Sequence, residues 1–315
     1  MKIANWVYVT GAPRSGTTFV GKVLSAPLSA DYIHEPFNPD CGMPGIDRRF
    51  LYLRPGGEAA DHYGPCISRL FTYDFHLKTG FFPNDTAWRR RIKRIVGSRG
   101  PFHLRLAKLN PFHRAAVIKD PIGCLLSGYL SEVHGVRVVW MVRHPVAFVA
   151  SVLRIGWQLD LEAIKSQPDL VADHFADEPE FLAAEYATPL EGAAALWRAI
   201  NRVGLRLARD NPDWTVLTHE ALSQEPVEHF RRLYDDLGLE WSGRIQRRIE
   251  RQTGAGNRAE AATRKVQDFR RDSGRLFELR RDMLTPEERS RVFELTRDVA
   301  VPFYPEESFA LEGAG

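Results

Sequence analysis

The segment Trp6-Val-Tyr-Val-Thr-Gly-Ala-Pro-Arg-Ser-Gly-Thr-Thr18 constrains the fold more than any other stretch of the chain. A β-favouring run enters a glycine-bounded turn, and hydroxyl residues then open a helix that the apolar spacing predicts over 17–24. Such a helix start offers unpaired N–H groups and the positive end of the helix dipole, so it holds a phosphate or sulfate without further machinery. The spacing Gly11-x-x-x-x-Gly16 matches the start of an ATP-binding P-loop, in which Lys and then Ser or Thr follow. Thr17 stands where that Lys belongs, so the contact to the far end of a triphosphate is missing. The cation lies inside the turn instead, as Arg14. An arginine there clamps one tetrahedral anion through two parallel hydrogen bonds, and Ser15, Thr17 and Thr18 add hydroxyl donors.

Short β-rich runs at 6–10, 31–34, 116–119, 138–142 and 214–218 alternate with helical patterns at 17–24, 122–133, 146–155, 190–209, 227–237 and 286–299. The alternation predicts an α/β protein, a three-layer P-loop-like fold with a central parallel sheet of about five strands flanked by helices. A single domain over 1–315 is expected, with a long Pro/Gly-rich insertion from Pro36 to Pro65 and a polar, basic flap over 253–275.

Hydrophobic residues at 44% exclude wholesale disorder, and a net charge of +3, from 43 basic and 40 acidic residues, gives no overall field for nucleic acid. The three cysteines, Cys41, Cys66 and Cys124, include no C-x-x-C pair and fit a reducing compartment. His62 and Cys66 have metal-ligand spacing, but Gly64 and Pro65 are expected to break the helix that would align them, so no metal is expected. No apolar run reaches the ~18 residues of a membrane span, and the N-terminus lacks a signal-peptide pattern. A soluble cytoplasmic protein is the expectation.

Pro13-Arg14-Ser15-Gly16-Thr17-Thr18 resembles the 5′-phosphosulfate loop of sulfotransferases that use 3′-phosphoadenosine 5′-phosphosulfate (PAPS), especially the carbohydrate-type and bacterial branch. A second match is Val138-Val-Trp-Met-Val-Arg143-His-Pro-Val-Ala-Phe-Val-Ala-Ser151, a strand with Arg at its carboxyl end followed by a helix. The resemblance implies that Arg143 and Ser151 hold the 3′-phosphate of the cofactor, whose product form is 3′-phosphoadenosine 5′-phosphate (PAP). Thr215 to Pro226 with Leu237-Gly-Leu239 is similar to a further segment of that family, with His219 in place of its usual Tyr. Near the end, Arg270-Arg271-Asp-Ser-Gly274-Arg275 resembles the basic flap that closes on the 3′-phosphate. Which of Arg264, Lys265, Arg270, Arg271 and Arg275 touches it stays open. The implied activity is metal-independent sulfuryl transfer to an acceptor hydroxyl of a sugar, lipid or other small molecule.

Transfer to a hydroxyl needs a base, and a general base contributes typically 10²–10⁴-fold. In the cytosolic branch of the resembled family a His follows a Lys by two residues. Here Lys119-Asp120-Pro121 has Pro at that place. Glu35, in Tyr32-Ile-His-Glu-Pro-Phe-Asn-Pro39, follows the second predicted strand, and carbohydrate-type members carry a Glu base there. His34 is the second candidate, expected on the opposite strand face, and Asp120 the third. Lys119 is assigned to charge stabilisation near the transferred group, with an Asp120 ion pair as the plain alternative, and Arg14 to the charge on the leaving phosphate.

Between Asp85 and Asp120 there is no acidic residue, yet Arg89, Arg90, Arg91, Lys93, Arg94, Arg99, Arg105, Lys108, Arg114 and Lys119 all occur. One reading is a solvated helix face anchored to the core by Trp88, Ile92, Ile95 and Val96. The other is a site for an anionic acceptor, or peripheral contact with a membrane surface bearing it. Trp6, Trp157, Phe37, Tyr52 and Tyr63 are candidates for stacking on an acceptor. Two other functions fit the loop. A P-loop small-molecule kinase would need a substitute for the missing Lys, and a noncatalytic nucleotide or anionic-glycan binding module would keep Arg14, Arg143 and Ser151 without a base.

Overall fold

The computed structural model describes residues 3–81, 85–157, 160–253 and 284–309. Five parallel strands, β1 (Asn5–Gly11), β2 (Ala30–His34), β3 (Ala115–Lys119), β4 (Arg137–Val142) and β5 (Thr215–Thr218), form one sheet in the order β2-β3-β1-β4-β5. All five runs expected from the sequence are strands, and because all are parallel their carboxyl ends gather on one rim. Across that rim Gly11 pairs with Met141 and His34 with Lys119.

β1 to β4 are buried on both faces, which is why they read as apolar runs, while β5 at the sheet edge is half-buried. Val7, Val9, Val117, Val139 and Met141 face one cluster, built with α1 (Thr17–Leu24), α11 (His219–Gln224), α12 (Pro226–Asp236) and α13 (Gly243–Thr253). Trp6, Tyr8, Ile118, Val138 and Trp140 face the other, built with α5 (Ser127–His134), α6 (Pro145–Arg154), α10 (Pro189–Asp210) and α14 (Pro286–Ala300). The result is three layers. The long α10 starts cleanly because Pro189 occupies its first turn and Thr188 accepts from the Glu191 N–H at 3.2 Å. A capping box of Thr285 and Glu288 opens α14.

The pattern at 122–133 is helical in two pieces, a 3₁₀ turn at Cys124–Leu126 and then α5. The irregular segment after β2 is shorter than the sequence implies, because α2 (Glu58–Phe71) runs through Gly64 and Pro65. The break expected between His62 and Cys66 is therefore absent; the helix accommodates Pro65. Phe37, Met43, Ile46, Phe50, Leu51 and Leu53 are all buried, so the segment between β2 and α2 is packed core rather than a loose lid.

Two further helices, α3 (Ala87–Val96) and α4 (Arg99–Leu109), carry the basic stretch, and α4 packs on β2. Of the four side chains that would anchor α3 in the solvated-face reading, Trp88, Ile92 and Ile95 do not do so. Trp88 is 68% exposed and Ile95 72%, while Ile92 is 41% exposed. Short helices α7 (Glu162–Lys165), α8 (Pro168–His174) and α9 (Pro179–Ala183) complete the described elements. Among the described residues no helix is long and apolar enough to cross a membrane.

Candidate active site

The turn after β1 is held by sterics before any ligand is considered. Gly11 has φ +129°, and a side chain there would run into the Met141 carbonyl of the neighbouring strand. Gly16, at φ +91°, caps α1, and a Cβ on it would lie 2.8 Å from the His219 ring. Arg14 itself adopts φ 72°, a left-handed conformation that costs of order 1 kcal/mol or more for a side-chain-bearing residue. That strain turns the Arg14 guanidinium toward α6, where Nε donates to Ser151 Oγ at 3.1 Å. Ser15 is fully buried and its Oγ has no partner among the described residues.

Arg143, at the end of β4, is only 3% exposed. One of its terminal nitrogens donates to the Arg14 carbonyl at 2.7 Å, while Nε and the other terminal nitrogen are buried with no partner among the described residues. A buried cation with two open donors is costly unless an anion completes it. The backbone around it is fixed: Trp197 Nε1 donates to the Arg143 carbonyl at 2.8 Å, and the His144 N–H donates to Glu220 at 3.2 Å. Glu220 also accepts from Tyr304 Oη at 2.7 Å, and burial raises its pKa. Ser151, 4% exposed, lies along α6 from this arginine and accepts from Arg14 Nε.

At the end of β2, Glu35 takes φ 50°, the second strained residue of the rim. The strand alternation expected to send His34 and Glu35 to opposite faces is thereby overridden, and His34 Nε2 lies 3.9 Å from Glu35 Oε1. Lys119 Nζ is 2.5 Å from the same oxygen, and Asn38 Nδ2 donates to Oε2 at 2.9 Å. Burial alone would push the Glu35 carboxyl up. The Lys119 charge, with His34 and the two hydrogen bonds, outweighs it and brings the pKa down to about 2. His34 is pulled down to about 3 by burial and then by Lys119, so it is neutral at pH 7. Its Nδ1 is 3.1 Å from Tyr32 Oη.

Lys119 thus pairs with Glu35 and not with Asp120. Asp120 is fully buried and accepts from the backbone N–H groups of Phe37 at 2.6 Å, Ile122 at 2.9 Å and Gly123 at 3.1 Å. Burial and the Glu35 charge push it up while these bonds pull it down, and its work is to tie the two loops that leave β2 and β3. Lys119 also packs against α1: a Cβ on Gly21 of that helix would sit 3.0 Å from Lys119 Cβ.

The sequence profile of the sulfotransferase family matches residues 7–243, which takes in the loop, β2, β3 and the Arg143–Ser151 segment. The chain belongs to the sulfotransferase family. Among solved structures this sulfotransferase is similar to the sulfotransferase domain from the curacin biosynthetic pathway, at 13% identity over 93% of this chain and 98% of that one, TM-score 0.43. It is also similar to the sulfotransferase domain of the Synechococcus PCC 7002 olefin synthase, at 15% identity over 95% and 96%, TM-score 0.44. Mouse sulfotransferase SULT7A1 complexed with PAP is 12% identical over 98% of this chain and 88% of that chain, TM-score 0.43. Comparison with curated proteins found no match.

Within the sulfotransferase, Pro13, Arg14, Ser15, Gly16, Thr17 and Thr18 form the turn and first residues of α1, with Thr17 and Thr18 buried. Arg264, Lys265, Arg270, Arg271 and Arg275 lie outside the described residues. Of the aromatic candidates, Trp6 and Phe37 are core residues, and the Tyr52 and Tyr63 hydroxyls are engaged by Asp173 and Asp47. Asn38, Trp197 and Glu220 support the site without any sequence signal strong enough to single out their roles; only Asn38, three residues after Glu35, lay within reach of such reasoning.

Proposed function

We propose that this sulfotransferase moves a sulfuryl group from PAPS to an acceptor hydroxyl, as one domain, with Glu35 as general base. The observation that carries the reading is Arg143, a buried guanidinium with two nitrogens that have no partner among the described residues, beside the Arg14–Ser151 pair. Together with the unpartnered Ser15 hydroxyl it is a donor set that suits a nucleotide with two separated anionic groups.

Arg143 and Ser151 would hold the 3′-phosphate, and Ser15, Thr17, Thr18 and the start of α1 the 5′-phosphosulfate. Bound there, PAPS supplies an activated sulfuryl group and departs as PAP. Arg14 steadies charge on the leaving phosphate oxygen. Glu35 takes the acceptor proton as the new S–O bond forms and the old one breaks. In the tautomer in which Tyr32 O–H donates to Nδ1, the proton of the neutral His34 ring sits on Nε2, on the Glu35 side, and His34 is then a donor rather than a base.

A carboxylate with a pKa of about 2 is a feeble base, and the same geometry supplies the remedy. Lys119 holds it down, so any turn of the Lys119 ammonium toward the transferred group frees Glu35, and burial then raises its basicity. One side chain thereby serves charge stabilisation and base activation in turn.

The test is thermal shift followed by an acceptor screen with labelled donor. PAP at a hundred times its dissociation constant stabilises by about 2.7 kcal/mol, and it does so without added metal. Stabilisation by magnesium-ATP alone returns the kinase reading. PAP binding without transfer to any hydroxyl returns the binding module.

A further inference from the structure

Helices α3 and α4 each expose an apolar triad spaced i, i+4, i+7. On α3 it is Trp88, Ile92 and Ile95, exposed by 68%, 41% and 72%; on α4 it is Phe102, Leu106 and Leu109, exposed by 42%, 52% and 79%. Phe81 and Phe112, before and after the pair of helices, are also exposed. The spacing is that of a helix face built to be covered, and these faces are not covered by the described residues. The stretch that carries them is basic, with Asp85 paired to Lys93 at its start and Glu240 3.9 Å from Arg114 at its end. From 86 to 119 the chain has no Asp or Glu, and Arg90, Arg91, Arg94 and Arg114 reach the surface.

We propose that this face docks on an anionic lipid bilayer, its two triads in the headgroup–acyl boundary and its arginines on the lipid phosphates. Aromatic and aliphatic side chains on one helix face with arginines on the flanks are the composition of an interfacial helix. The charge complementarity selects the occupant. A second copy of this face would set like charges against each other, and a protein interface core is depleted in charge. A nucleic acid backbone would use the arginines and leave six bulky apolar side chains in water. The N-terminal end of α4 also abuts the rim, since a Cβ on Gly100 would lie 3.3 Å from the His34 carbonyl. That contact is made by the buried side of α4, which carries Gly100, Leu104 and Ala107, and the lipid contact is independent of the reaction assigned to Glu35.

The experiment is co-sedimentation of the full chain with vesicles of phosphatidylcholine alone and of phosphatidylcholine mixed with phosphatidylserine. The protein is expected to pellet with the anionic vesicles only, and to be released by high salt. Two double variants separate the contributions, Arg91→Glu with Arg94→Glu, and Trp88→Ser with Leu106→Ser. Each is expected to weaken vesicle binding at least about tenfold while leaving the melting temperature within about 2 °C, since all four positions are exposed. Absence of binding to anionic vesicles overturns the proposal. So does binding that the Trp88→Ser, Leu106→Ser variant retains in full and that homopolymeric RNA reproduces, which would mark a polyanion surface rather than a lipid one.

Discussion

Lys119 Nζ and Glu35 Oε1 sit 2.5 Å apart at the ends of neighbouring strands, with the lysine 2% exposed. The pair is set by backbone, because Cα register places His34 beside Lys119 and the left-handed turn at Glu35 brings its carboxylate back over the lysine. The lysine charge keeps the Glu35 carboxylate ionised against the burial that would protonate it.

Glu35→Gln preserves shape and the Asn38 contact but cannot take a proton. Turnover is expected to fall by about 10²–10⁴-fold, with PAP-induced stabilisation unchanged. Near-normal turnover would move the role to His34 or Asp120.

Lys119→Met leaves the Glu35 carboxylate buried without its counter-charge. Removing one partner of a buried pair costs about 3–5 kcal/mol, and the expected melting temperature at pH 7 falls accordingly. Below pH 4.5 the gap to the unsubstituted protein should close, because the depressed pKa of Glu35 contributes stability above its ordinary value of 4.5 and loses it as pH falls toward 2. Denaturant melts at a series of pH values measure both effects.

His34 makes a distinct contribution to acid sensitivity. A histidine held neutral down to about pH 3 in the fold, against an ordinary 6.5, penalises the folded state as pH drops below 6.5, by about 1.4 kcal/mol per pH unit. His34→Gln is expected to flatten the stability profile between pH 6.5 and 4.5 and to leave the steeper fall below that range. Urea midpoints across the range are the readout.

Arg143→Ala is expected to cost the free protein little stability, since it removes a buried guanidinium with two open donors. Its effect belongs to binding. Calorimetry should show PAP affinity lowered by at least about tenfold, two charge-assisted bonds being involved, while affinity for adenosine 5′-phosphate barely changes. An Arg143→Lys variant should not recover the difference, because an ammonium lacks the fork. Equal losses for both nucleotides would detach Arg143 from the 3′-phosphate.

Much of the frame was legible because it depends on local pattern. The five strands, the turn at Gly11 and Gly16, and Arg143 at a strand end all follow from periodicity and short-range spacing. The misreadings arose where tertiary packing overrode local rules. Pro65 was read as a breaker, yet α2 carries it inside a helix anchored by buried Ala60, Gly64, Ile67 and Leu70. Strand alternation separated His34 from Glu35, yet one residue at positive φ reunites them. The stripe of Trp88, Ile92 and Ile95 looked like an anchor, since spacing defines a face without saying what lies opposite. The Trp197 and Glu220 contacts join segments more than fifty residues apart, and no spacing along the chain encodes them.

The bonds from Arg14 to Ser151 and from Arg143 to the Arg14 carbonyl have a metrical consequence. They tie the turn after β1 to the β4–α6 segment, so on the assignment proposed above the interval between the two anion subsites is a property of the scaffold and works as a fixed gauge. A donor with a longer or shorter reach cannot be accommodated by swapping one side chain; retooling this protein for another carrier means relaying the joint between those two elements.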